Sequence, residues 1–137
     1  MTKQPSQPLV RFLLVGGLNT LTGLGLIFIA KGFFGVGDVQ ANAFGYSVGM
    51  LVSYALNRSW TFAHRGSAGR SFLLFLVVQG SAYLLNLFCV MGLIRLGVDT
   101  YLAQALGVPP YTVVSYLGSR YIAFAPSGRK KIVGAGR

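Results

Sequence analysis

The sequence predicts an all-α integral membrane protein: four transmembrane helices arranged as two parallel tandem helical hairpins, with both termini in the cytoplasm. Three observations predict it. Four apolar runs are long enough to cross a bilayer, basic residues gather on one side of those runs, and the second half of the chain repeats the first. Composition agrees. Of 137 residues, 53% are apolar and only 10% are charged, whereas a soluble domain covers its surface with about 25% charged residues. The solvent that suits this chain is lipid.

The hydrocarbon core is about 30 Å thick and a helix rises about 1.5 Å per residue, so about 20 apolar residues make a span. The first span runs from about Phe12 to Ala30, the second from about Val39 to Tyr54 or slightly beyond, the third from about Phe72 to Ile94 and the fourth from about Tyr101 to Tyr121. Lipid offers the backbone no hydrogen bonds, so these runs are helices. The connectors are Lys31–Asp38, a basic segment Arg58–Arg70, and Arg95–Thr100. The first run exceeds the apolar core of a signal peptide and no small-x-small site directly follows it, so it reads as uncleaved. Ala41-Asn42-Ala43 has that pattern but opens the second span.

Charge sets direction. Lys3 and Arg11 precede the first span; Arg58, Arg65 and Arg70 lie between spans two and three; Arg120, Arg129, Lys130, Lys131 and Arg137 follow the fourth. Only Lys31 and Arg95 fall on the opposite side, with both acids, Asp38 and Asp99. The positive-inside rule places the ten-base side, and with it both termini, in the cytoplasm of a multi-pass cytoplasmic (inner) membrane protein. Trp60, Phe62, Tyr121 and Phe124 fall at the same interface, where aromatic anchors are expected. The Gly128-Arg129-Lys130-Lys131 tail suits anionic headgroups. The bases cap apolar runs and form no polar face, so nucleic acid is not an expected partner; membrane lipids are.

Internal similarity organises the domain. At an offset of 62 residues, Gly35 matches Gly97, Ala41 Ala103, Gly45 Gly107, Ser53 Ser115, Tyr54 Tyr116, Arg58 Arg120 and Phe62 Phe124. At an offset of 63, Phe12 matches Phe75 and Gly17 matches Gly80. Each unit holds two spans and enters the membrane in the same direction, so the repeats are parallel, about an axis near the membrane normal. The organisation is a tail (1–8), a four-helix domain (9–125, repeats 9–62 and 71–124) and a basic tail (126–137). Ala41, Gly45, Gly49 and Ser53 form a small-residue stripe suited to close helix approach. Span four puts Tyr111 in that stripe and carries Pro109-Pro110, which removes backbone donors and favours a kink beside a polar gap.

Titratable chemistry is scarce. The two Asp residues lie in opposite-side connectors, there is no Glu, and His64 and Cys89 are single, so no acid–base pair, triad or metal cluster is visible. The chain reads as a non-enzyme without cofactor or metal. Cationic and amide groups remain. Arg58 and Arg120, at matched positions, are either snorkelling anchors or an anion site that pairs bidentately with phosphate. Asn57 and Arg11 join them as candidates, Arg11 reading first as an anchor. Asn19, Gln79 and Asn86 lie within spans one and three, with Asn42 and Gln104 near span ends. They are either interhelical glue or a polar path for a hydroxyl-rich group. Lys31 and Arg95 are candidates to meet a phosphate at the outer side.

Arg11-Phe-Leu-Leu-Val-Gly-Gly-Leu-Asn-Thr20 resembles the opening of the GtrA-like family, Asn57-Arg-Ser-Trp-Thr-Phe62 resembles the motif that closes that family's second span, and Ser119-Arg-Tyr-Ile-Ala-Phe124 is a weaker echo. The resemblance covers about residues 9–125. It departs at Gly23 and Gly25, where polar residues often follow the opening motif, and at Ser119, where the repeat wants Asn. The resemblance implies a role in cell-surface polysaccharide or glycolipid synthesis: flipping of a polyprenyl-phosphate-linked monosaccharide, or assistance to a membrane glycosyltransferase as a non-transporting accessory subunit. On the flipping reading, Arg58 and Arg120, helped by Asn57 and Asn19, bind the lipid phosphate, and the substrate gradient drives transport. Four helices barely enclose a sugar path, which makes a homodimer an open expectation. A small multidrug exporter needs a membrane-embedded Glu, which this chain lacks, and a glycosyltransferase lacks its carboxylates.

Overall fold

A computed structural model describes residues 6–126. Lys3 and the Gly128–Lys131 and Arg137 portion of the basic tail lie outside the described residues. Among these residues there are four α-helices: α1 (Ser6–Phe34), α2 (Asp38–Leu56), α3 (Ala68–Arg95) and α4 (Thr100–Gly118). The helices overrun the apolar runs that announced them because intrahelical hydrogen bonding continues past the hydrocarbon boundary. Segments Gln7–Phe34 and Ala68–Arg95 are long and apolar enough to cross a membrane. α2 and α4 have 19 residues each, about 28 Å of helix, and each is extended by a π turn, Asn57–Thr61 after α2 and Ser119–Ala123 after α4. Large apolar side chains point outward on every helix, Leu21, Phe28, Tyr46, Leu73, Phe88 and Leu102 among them, as lipid-facing surfaces do.

Local chemistry fixes the ends. Gly35 after α1 and Gly97 after α3 occupy the left-handed region, at φ of +60° and +84°, where a Cβ is strained; these are repeat-matched positions. The Asp99 carboxylate caps α4 by accepting the Tyr101 and Leu102 N–H groups at 3.0 and 3.2 Å. Asp38 instead pairs with Lys31 across the α1–α2 turn. α4 runs through Pro109 and Pro110 as one helix.

α1 packs on α2 and α3 on α4, giving the two hairpins. The small-residue stripe is consumed inside them. A Cβ on Gly45 would lie 2.6 Å from Ile27 Cγ1 and 2.9 Å from the Gly23 carbonyl, and one on Gly49 2.7 Å from Asn19 Oδ1. The stripe therefore brings α1 against α2. Gly45→Ala is expected to destabilise the fold by about 1–3 kcal/mol through overpacking. Gly80→Ala, where a Cβ meets nothing within 4 Å, should be neutral or stabilising; unfolding in detergent micelles checks both.

The hairpins meet at their π-turn ends through a cluster of aromatic rings, in which Tyr54 also meets Phe72 edge-on at 4.9 Å. Phe62 and Phe124, repeat mates, stack at 5.3 Å and 20°. Around them the contacts come in pairs related by the repeat. Phe12 meets Tyr116 at 5.4 Å while Phe75 meets Tyr54 at 5.7 Å. Phe12 meets Phe62 at 6.3 Å while Phe75 meets Phe124 at 5.7 Å. Tyr116 meets Phe62 at 6.1 Å while Tyr54 meets Phe124 at 5.8 Å. Each ring cluster thus combines two rings of one repeat with a tyrosine of the other, which is what a pseudo-two-fold axis between Phe62 and Phe124 produces. This corrects the expectation that Phe62 and Phe124 are interfacial anchors. Phe124 is buried and Phe62 packs against it, because two hairpins without hydrophobic driving force between them need close ring contact to associate. Trp60 and Tyr121 keep exposed positions. Tyr54 Oη also reaches across the hairpins, donating to the Ala68 carbonyl at 2.7 Å and lying 2.8 Å from Ser71 Oγ.

Candidate functional site

Two cavities lie along the junction of the hairpins. The first, of 410 Å³, opens at the π-turn end and is lined by Arg11, Thr61, Phe62, Arg120, Tyr121 and Phe124 among others. No carboxylate lines it. Arg11 arrives from the first turns of α1; its Nη1 donates to the Trp60 carbonyl at 3.1 Å and its guanidinium lies 5.5 Å from the Trp60 ring centre. Arg120 arrives from the second π turn; its Nη1 donates to Tyr116 Oη at 2.9 Å and its guanidinium lies 5.4 Å from the Tyr121 ring. One bond orients each guanidinium, with one aromatic face beside Arg11 and two, Tyr116 and Tyr121, beside Arg120, while the planar fork of five donors leaves others for an anion. Thr61 Oγ1, on a residue only 5% exposed, is buried without a hydrogen-bond partner in the wall of this basin.

The π turns create the basin's shape. Each closes by an i to i+5 bond, Phe62 N–H to the Asn57 carbonyl at 2.9 Å and Phe124 N–H to the Ser119 carbonyl at 2.8 Å. Such turns are rare and are frequently found at functional sites. Here they turn Phe62 and Phe124 inward to stack and place Thr61 and Arg120 on the basin side.

Arg58 does not enter this basin. The repeat relates it to Arg120, but the chain beyond it folds back as a loop, and Arg58 Nη2 donates to the Gly66 carbonyl at 2.9 Å while its Nε is buried without a partner. Arg120 has no such loop over it among the described residues. Equivalent sequence positions therefore hold different environments, and the arginine facing Arg120 across the basin is Arg11. On the other side of the pseudo-two-fold axis, a cavity of 390 Å³ carries His64 and Arg70, with the His64 ring edge-on to Phe124 at 5.7 Å.

The second cavity, of 340 Å³, lies deeper and draws on all four helices. Asn19 and Thr20 come from α1, Ser53 from α2, Asn57 from the π turn, Gln79 from α3 and Tyr111, Thr112 and Ser115 from α4. Asn57 is 2% exposed; its Nδ2 donates to Ser53 Oγ at 3.3 Å, and its Oδ1 has no partner. Asn19 Oδ1 is likewise buried and unpartnered. Gln79 Oε1 accepts from Ser115 Oγ at 2.8 Å and Tyr111 Oη at 3.1 Å, which fixes α3 to α4. An unpaired buried acceptor costs about 1–3 kcal/mol, and the two here belong to residues that line this chamber. Phe12 lines the chamber and Phe62 the basin, so their packed rings form the wall between the two.

The structure thus gathers Arg11 with Arg120, and Asn19 with Asn57 and Gln79. It does not gather Asn86, which packs in the α3–α4 contact beside Gly107. Lys31 and Arg95 lie in the last turns of α1 and α3, at the opposite end of the molecule from the basin. Sequence reasoning passed over Thr61 and the hydroxyls of Thr20, Ser53, Thr112 and Ser115. The available signal was the pairing of Ser53 with Ser115 in the repeat and the place of Thr61 inside the Asn57–Phe62 motif.

Comparison with known proteins agrees with this architecture. The family description GtrA/DPMS, transmembrane domain, matches residues 11–124. The chain is also similar to the uncharacterized membrane protein YngA of Bacillus subtilis (strain 168), with 25% identity over 126 residues, 91% of this chain and 84% of that protein. The chain belongs to the GtrA/DPMS transmembrane-domain family, membrane proteins of glycolipid and polysaccharide synthesis.

Proposed function

We propose that the protein moves a polyprenyl-phosphate-linked monosaccharide across the membrane, with Arg11 and Arg120 holding the phosphate and the four-helix chamber admitting the sugar. The observation that carries this reading is the stacking of two compartments with opposite demands. The basin offers guanidinium donors; the chamber is walled by hydroxyl and amide residues, among them Asn19 and Asn57, whose buried acceptors have no partner within the protein. Phosphate accepts and sugar hydroxyls donate, so one amphiphile suits both compartments once Phe12 or Phe62 moves out of the wall between them, while its prenyl chain stays in lipid. The basin end faces the cytoplasm by the positive-inside rule, and Lys31 and Arg95 receive the phosphate at the far side.

Translocation of a radiolabelled polyprenyl-phosphate monosaccharide in proteoliposomes containing this protein alone tests the reading. Transport above empty vesicles supports it. Binding without transport, together with a stable complex with a co-expressed membrane glycosyltransferase, replaces it by the accessory-subunit role. Lys31 is already paired with Asp38 in an exposed position, and such pairs contribute about 0–1 kcal/mol. Lys31→Met is therefore expected to lower the transport rate by no more than about fivefold and to leave detergent stability within about 0.5 kcal/mol.

A further inference from the structure

We infer that the sugar leaves the chamber along one hairpin only, through the groove between α1 and α2. The inference rests on the transport reading above and adds the route. A groove of 290 Å³ runs outward along this hairpin, lined by Asn19, Thr20, Gly23, Ile27, Gly45 and Gly49 among others. Asn19 and Thr20 line the chamber as well, so groove and chamber share a wall, and the buried unpartnered Asn19 Oδ1 stands at their junction.

The other hairpin has the same fold but its groove is filled. The repeat sets Asn86 against Gly23, Ala82 against Asn19, Gly107 against Gly45 and Tyr111 against Gly49. Asn86 occupies the space beside Gly107, and Tyr111 extends to Gln79. Asn19 packs beside Gly49 as Asn86 packs beside Gly107; the two hairpins differ at Gly23 and Gly49, where hairpin two carries the side chains of Asn86 and Tyr111. The duplication has separated the tasks: α3 and α4 form a braced wall, and α1 and α2 form the open side. A polar headgroup moving outward from the chamber meets Asn19, Thr20 and the partly exposed Gly23, while Gly45 and Gly49, buried against α1, form the floor of the groove.

The experiment uses the full chain with Cys89 replaced by Ala. Gly23→Cys and Asn86→Cys, the repeat mates, are each exposed to a small water-soluble thiol reagent in proteoliposomes, with and without saturating polyprenyl-phosphate monosaccharide. Gly23→Cys is expected to react at least tenfold faster than Asn86→Cys and to be slowed by the lipid-linked sugar. Equal reaction, or faster reaction at Asn86→Cys, overturns the route. Gly23→Leu supplies a second readout, because a side chain there enters the groove; its Cβ meets only the Gly45 carbonyl, at 3.8 Å. It should bind the radiolabelled lipid as wild type does and transport it at least tenfold more slowly, whereas Gly25→Leu, in open space, should do neither harm. Wild-type transport by Gly23→Leu overturns the route while leaving the transport function standing; loss of binding in Gly23→Leu also overturns it, since an exit does not hold the phosphate. Absence of transport by the wild-type protein overturns the function itself.

Discussion

Arg120→Gln is expected to weaken binding of a polyprenyl-phosphate sugar by roughly ten- to a hundredfold. The magnitude follows from the hydrogen bond to a charged group, about 1.5–3 kcal/mol, at 1.4 kcal/mol per tenfold in affinity. Arg11→Gln should lose a similar amount, because the two guanidiniums face the same basin. Arg58→Gln should not. Its guanidinium is engaged with the Gly66 carbonyl outside the basin, so its loss loosens the loop after the first π turn and leaves affinity within about twofold, a change of about 0.4 kcal/mol. Sequence position alone predicts the reverse order, since Arg58 sits in the stronger copy of the motif. Binding of radiolabelled lipid in detergent decides between the two. A loss in Arg58→Gln as large as in Arg120→Gln would remove the basin as the phosphate site. Arg120→Lys should recover only part of the affinity, because an ammonium cannot reproduce the planar fork that pairs with phosphate while stacked on Tyr121. Raising the salt should weaken binding in the wild type more than in Arg120→Gln, as expected of a site at the membrane surface.

The helices and their pairing were legible because lipid leaves the backbone few options and the repeat doubles every signal. Gly35 and Gly97 were legible as equivalent positions of the repeat, and the structure adds that both take the left-handed conformation after α1 and α3. The aromatic core was not legible. Phe62 and Phe124 sit where anchors usually sit, and only the π turns, which no spacing rule announces, rotate them inward. Arg58 and Arg120 were misleading for a related reason: a sequence repeat guarantees equivalent backbone positions, but the Phe62–Ser67 loop covers only one of them. Asn19 and Gln79 could be identified as unusual in lipid, yet whether they bond to each other, to hydroxyls or to a guest depends on which helix faces lie opposite. Asn86 shows the limit. It packs at Gly107 as Asn19 packs at Gly49, yet only Asn19 also lines the chamber.

Phe124→Ala is expected to cost about 3 kcal/mol, the lower end of the range for removing a buried aromatic ring. The lower end applies because the unfolded chain in a membrane is already in apolar surroundings, so little transfer energy is lost and the deficit is mostly packing. Phe124 is the hub of the ring cluster, within 5.3–5.8 Å of Phe62, Phe75, Tyr54 and His64, and shares the joining of the hairpins with Tyr54. Tyr121→Ala, three residues away on an exposed side chain, should change stability by no more than about 0.5 kcal/mol. The sharper test is the double-mutant cycle with Phe62→Ala. Stacked rings couple by about 0.5–1.5 kcal/mol beyond their burial, so the two losses should fall short of additive by about that amount when unfolding is followed in micelles. Additive losses would mean that the rings do not couple and that the hairpins are held elsewhere. The cycle also bears on transport, because Phe62 forms part of the wall between basin and chamber. Any movement of phosphate from one to the other must displace Phe12 or Phe62, and the stacking that holds the hairpins together then contributes to the barrier to translocation. Phe62→Ala should accordingly lower stability while raising, or at least preserving, the transport rate per folded molecule, whereas Phe124→Ala, which faces the basin but not the partition with Phe12, should lower stability without that gain.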